Sequence, residues 1–143
     1  MFLIQLLTTI FVCCLSVSDI RTRTIPGWAA PVFGLAIGIL HLVLTNITAL
    51  QLGAGLLPGM ILLVLSLVFH ASVGIGDAFA VMACGLALGL EKEFAALSAA
   101  LILCAVFCCA LLILKRVKRS DCLPFLPFLA SVHLIMLTAE VIL

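Results

Sequence analysis

The sequence predicts an all-α, polytopic membrane protein: a single membrane-embedded domain over residues 1–143 with about six transmembrane helices. Three observations carry that prediction. Hydrophobic residues make up 66% of the chain and charged residues 9%, a balance outside that of soluble globular domains. The apolar residues fall into runs near the ~20 needed to cross a bilayer, and six such runs occupy most of the chain. The few acids and bases gather where one run gives way to the next.

The runs lie at about 2–18, 28–45, 51–70, 73–90, 95–114 and 124–142. The first lacks the basic leader of a secretory signal and is followed by Arg21 and Arg23, so it reads as a retained span. Ile25-Pro26-Gly27 separates it from the second, and Asn46 lies between the second and third. His70 ends the third; Gly74 and Gly76 open the fourth. Glu91-Lys92-Glu93 precedes the fifth, and a basic loop, Lys115 to Arg119, precedes the last. The linkers are short, so neighbouring helices should be antiparallel. No heptad, solenoid repeat or low-complexity stretch interrupts the pattern.

Charge orients the set. Arg21 and Arg23 follow the first span, and Lys115, Arg116, Lys118 and Arg119 follow the fifth. Four crossings separate these loops, which puts six of the seven basic residues on one side and leaves Lys92 opposite. By the positive-inside rule the basic side is cytoplasmic and both termini are external. The same parity brings Asp19 and Asp77 to the cytoplasmic side. Asp77 lies about four residues into its run, roughly 6 Å deep at 1.5 Å per residue, and should be semi-buried.

Six of the seven cysteines, Cys13, Cys14, Cys84, Cys104, Cys108 and Cys109, lie within apolar runs and read as small hydrophobes; Cys122 is the other. Cys104 and Cys108 share a helix face without a histidine or acid beside them. With no CxxC pair in the chain, no metal is expected. A net charge of +1 gives no sign of a nucleic-acid partner. Membrane lipid is the expected surrounding, and the 115–119 run is first an orientation signal and second a contact for anionic lipid or substrate.

Carboxylates at the membrane boundary are costly and need a reason to persist. Two held close together do not ionise freely at once: one keeps its proton while the other acts as a base. The base would take a proton from a shared water attacking a peptide carbonyl. The protonated partner would hydrogen-bond the developing oxyanion. Asp19 and Asp77 are therefore the candidate catalytic pair, with no cofactor required. Gly74 and Gly76, bracketing Ile75, allow close backbone approach, and a locally unwound strand there could pair with an extended substrate. Each feature also has a structural reading. Asp77 suits a helix N-cap, and Asp19 beside Arg21 and Arg23 suits an interfacial ion pair. His41, His70 and His133 read as interfacial, and Glu140 as facing the external interface.

Three stretches together carry a resemblance. Ser18-Asp19-Ile20-Arg21-Thr22-Arg23-Thr24-Ile25-Pro26 contains D-x-R-x-x-x-I-P, Gly74-Ile75-Gly76-Asp77 is GxGD, and Pro124-Phe125-Leu126-Pro127-Phe128-Leu129-Ala130 is P-F-x-P-F-L-A. In that order, across essentially the whole chain, they resemble the type IV prepilin peptidase family of membrane aspartyl proteases, in its short stand-alone form. The resemblance implies an aspartic endopeptidase of the inner membrane that cleaves the short basic leader of type IV prepilins or pseudopilins, after a glycine, at the cytoplasmic face. Asp19 and Asp77 would be its catalytic pair, and Gly74, Gly76, Arg21, Arg23 and Pro26 would bind substrate or shape the site. Larger relatives add a methyltransferase region with paired CxxC motifs; this sequence begins with a span, so neither methyl transfer nor zinc is expected. Two positions depart from the pattern: Phe79 stands where many relatives carry lysine, and Gly27 where asparagine often follows Ile-Pro. Two alternatives stay open. One is a transport or proton-relay subunit using the same acids. The other is an inactive member serving pilus assembly.

Overall fold

A computed structural model describes residues 2–22, 27–45, 48–68, 74–115 and 124–142. Helices α1 (Phe2–Thr22), α2 (Ala29–Leu44), α3 (Ala49–Gly55), α4 (Leu57–Val68), α5 (Ile75–Leu88), α6 (Leu90–Ile113) and α7 (Leu126–Ile142) follow one another, with no strand among the described residues. The protein is an all-α membrane protein. Phe2–Arg21, Ala49–Val68 and Leu90–Ile113 are long and apolar enough to cross a bilayer, and α2, α5 and α7 are shorter apolar helices. Bulky residues such as Val43, Leu50 and Ile113 stand exposed on the outer surface. In water they would make a large sticky patch, whereas lipid tails solvate them.

The six predicted runs appear in order, with two internal corrections. The third run divides at Leu56 into α3 and α4. Pro58 has no N–H to continue the ladder and its ring crowds the preceding turn, where Gly53 and Gly55 already weaken the helix. The start of α3 is secured by a capping box between Thr48 and Gln51. The fifth run begins at Leu90 and not at 95. Gly89, at φ +81°, turns the chain in one residue from α5 to α6, so Glu91, Lys92 and Glu93 form the first turn of α6.

The centre of the bundle is α5, which packs against α1, α2, α3, α4 and α6, while α1 and α6 both lie against α7. Surrounded in this way, α5 buries Ala78, Ala80, Val81, Ala83, Cys84, Gly85, Ala87 and Leu88. Its small residues have a physical cause: within a bilayer, helices are held together by close van der Waals packing, and small side chains let backbones approach. At the tightest crossing, a Cβ added to Gly85 would stand 1.8 Å from the Gly55 carbonyl oxygen, and one on Gly55 would stand 2.2 Å from that of Gly85.

Two polar side chains of α1 are bonded locally. Thr8 and Thr9 donate to the carbonyls of Ile4 and Gln5, one helical turn back. His41 is not interfacial as the sequence suggested. It is buried, and its Nε2–H donates to the Ala87 carbonyl at 2.9 Å, tying α2 to the end of α5.

Candidate active site

Asp19 belongs to the last turn of α1, whose inner face carries Val12 and Leu15 into the main core beside Ala78 and Val81 of α5 and Leu126 and Leu129 of α7. That shared apolar cluster draws the end of α1 and the starts of α5 and α7 to one end of the bundle. Asp19 is buried, and the backbone N–H of Leu126, the first residue of α7, is a hydrogen-bond donor to its carboxylate. Its Oδ2 has no hydrogen-bond partner among the described residues. The positive end of the α7 dipole therefore faces this acid.

Asp77 is not the N-cap; that position is Gly74, in extended conformation, and Asp77 is the third residue of α5. Its carboxylate folds back to accept from the Gly74 N–H, the acid half of a capping box. A Cβ on residue 74 would lie 3.0 Å from Asp77 Oδ2, so glycine leaves this carboxylate its room. Asp77 is half-buried, as the depth argument anticipated, and Asp19 is the charged group that acts on it. Two like charges within electrostatic reach in a partly dry site disfavour ionising together.

The remaining expected site residues divide. Gly76 is already helical, so the unwound strand imagined at Gly74 to Gly76 is reduced to Gly74 alone. Arg21 is exposed at the end of α1 and makes no ion pair with Asp19. Arg23, Pro26 and His70 lie outside the described residues. Phe79 is half-buried, one turn of α5 beyond Gly76. A cavity of about 510 Å³ lies at the opposite end of α5, around His41, Gln51, Leu88 and Glu91, away from the two aspartates.

The sequence reading missed a second polar cluster. Cys84, Glu93 and His133, from α5, α6 and α7, bring their ligand atoms within 4.8 Å of one another. His133 is not interfacial, and Cys84, packed in the core as expected, also stands beside an acid and a histidine. His133 is 1% exposed and Glu93 0%. The available signal was an acid and a histidine within membrane segments, which by default suggest function. Starting the fifth run at 95 hid it, because that boundary left Glu93 in a loop.

Comparison with known families matches residues 6–113 to the type IV leader peptidase family. The match spans both aspartate motifs. No curated protein and no solved structure matches the chain. The chain belongs to the type IV leader peptidase family.

Proposed function

We propose that this member of the type IV leader peptidase family is an aspartyl endopeptidase whose catalytic pair is Asp19 and Asp77, acting on the short basic leader of prepilin-like proteins at the cytoplasmic face of the inner membrane. The observation that carries the reading is the convergence of two carboxylates, 58 positions apart in sequence, at one end of the bundle, Asp19 in the last turn of α1 and Asp77 in the first turn of α5, around one apolar core. In the proposed mechanism the ionised member of the pair removes a proton from water as the oxygen attacks the scissile carbonyl. The protonated member donates to the oxyanion and then passes a proton to the departing amine. Two features favour one charged and one neutral partner. The Leu126 and Gly74 N–H groups stabilise negative charge, and proximity opposes a second one. Arg21, exposed at the end of α1, and Arg23, four positions after Asp19 in the sequence, are assigned to positioning substrate and lipid.

The test is cleavage of a prepilin-like substrate by the protein in proteoliposomes, with Asp19→Asn and Asp77→Asn as isosteric variants. Each should lose at least ~100-fold in rate, within the span attributed to positioned acid–base groups, while insertion and helicity stay unchanged. Normal cleavage by either variant removes the pair from the mechanism. One observation favours the proton-relay alternative: buried Glu93 and His133 put titratable groups in the other part of the bundle. Proton flux in the same proteoliposomes, persisting without proteolysis, would support that reading instead.

A further inference from the structure

We propose that Cys84, Glu93 and His133 form a binding site for a divalent transition ion of the zinc class, separate from the aspartate pair. Three independent features meet there. The donor set is one thiol sulfur, one carboxylate and one imidazole, the mixed sulfur, oxygen and nitrogen set that zinc accepts in a tetrahedral site. Each donor comes from a different helix, so an ion would join α5, α6 and α7 at one point. All three side chains are fully enclosed: Cys84 and Glu93 are 0% exposed.

The orientation of His133 fits ligation. Its Nδ1–H donates to the Leu129 carbonyl at 3.0 Å, one turn back on α7, which orients the ring so that Nε2 points into the cluster, free to ligate. There Nε2 faces Glu93 Oε2 at 3.5 Å. Two tetrahedral donors, each ~2.0 Å from zinc, stand about 3.3 Å apart, so this pair is already near the edge length of such a site. Apart from this contact with each other, neither oxygen of Glu93 nor His133 Nε2 has a hydrogen-bond partner among the described residues. A buried carboxylate left in that condition is costly.

Charge balance selects a dication. On binding, the Cys84 thiol releases its proton to solvent and Glu93 is ionised, so a thiolate and a carboxylate cancel the two positive charges and the imidazole stays neutral. The resulting site carries no net charge, which suits the interior of an apolar bundle. Three protein donors leave one coordination position for a small ligand such as water. The ion's role is to fasten the α5–α6 hairpin to α7.

The experiment uses full-length protein in detergent, stripped of metal and titrated with Zn²⁺ or Co²⁺. The wild type should bind one equivalent, and Co²⁺ should give a near-ultraviolet thiolate charge-transfer band. Cys84→Ser should abolish the band, and Glu93→Gln and His133→Gln should weaken binding at least about tenfold. A Cys104→Ser, Cys108→Ser double variant should bind as the wild type does. X-ray absorption of the zinc-loaded wild type needs no variant and should show one sulfur with nitrogen and oxygen ligands. No zinc binding by the wild type, a sulfur-free or sulfur-rich shell, or unchanged binding in Cys84→Ser would overturn the proposal and leave Glu93 and His133 sharing only a proton. Peptidase activity is not the readout, so failure here leaves the aspartate reading untouched.

Discussion

At the scale of single residues, Gly74 separates what the backbone needs from what the carboxylate needs. Its φ of −67° and ψ of 132° suit any amino acid, so alanine there strains nothing. The added methyl would nevertheless meet Asp77 Oδ2 at 3.0 Å and push the carboxylate from its seat on the Gly74 N–H. Gly74→Ala should therefore slow cleavage about tenfold while changing stability by less than about 1 kcal/mol. Thermal unfolding and a cleavage assay on the same preparation check both halves, and full activity would show that this seating is dispensable. The aspartates and their glycine were legible because each lies within a short local motif. Cys84, Glu93 and His133 were not: they lie 9 and 40 positions apart along the chain, and only the packing of three helices unites them.

Among elements, the crossing of α5 over the α3–α4 break depends on the absence of side chains. Gly55 and Gly85 meet backbone to backbone, and a methyl on either would have to displace a carbonyl, not a flexible side-chain tip. Gly85→Ala should cost at least the ~1–3 kcal/mol typical of overpacking and lower the unfolding midpoint accordingly. Gly53 is the internal control. Nothing lies within 4 Å of a Cβ there, and alanine favours helix, so Gly53→Ala in α3 should be neutral or stabilising by up to ~1 kcal/mol. Similar unfolding midpoints for the two variants would mean that the crossing yields easily and that close backbone approach does not hold the bundle together there. Hydropathy made the six runs legible because it measures how oily a stretch is. It does not measure continuity, so Pro58 with Gly53 and Gly55 passed unnoticed inside one oily run. For the same reason the single-residue turn at Gly89 reads in the sequence as a longer linker.

For the whole molecule, orientation in the bilayer follows from charge and parity, and the bundle constrains it. The end of α1 and the starts of α5 and α7 meet around the core that includes Leu15, Ala78 and Leu126, whereas the α5–α6 turn at Gly89 lies at the far end of α5. If the end bearing Asp19 and Asp77 is cytoplasmic, as the basic loops argue, residues bordering those loops must be reached from the cytoplasm and the start of α6 from outside. Trp28 and Glu91 are both exposed, and Lys115 follows the end of α6. Single cysteines at these positions, in protein whose native cysteines other than Cys84 are serine, report the topology through a thiol reagent that does not cross membranes. Trp28→Cys and Lys115→Cys should label in inside-out vesicles and resist labelling in right-side-out ones; Glu91→Cys should do the reverse. The inverse pattern would set the aspartates outside, where a substrate leader retained in the cytoplasm never arrives, and the proposed peptidase would lose its substrate. A split between Trp28 and Lys115 would instead mean that an odd number of segments crosses between them. Parity would then fail at one of the short helices, and α5, at 14 residues and about 21 Å, is the one with least length to spare.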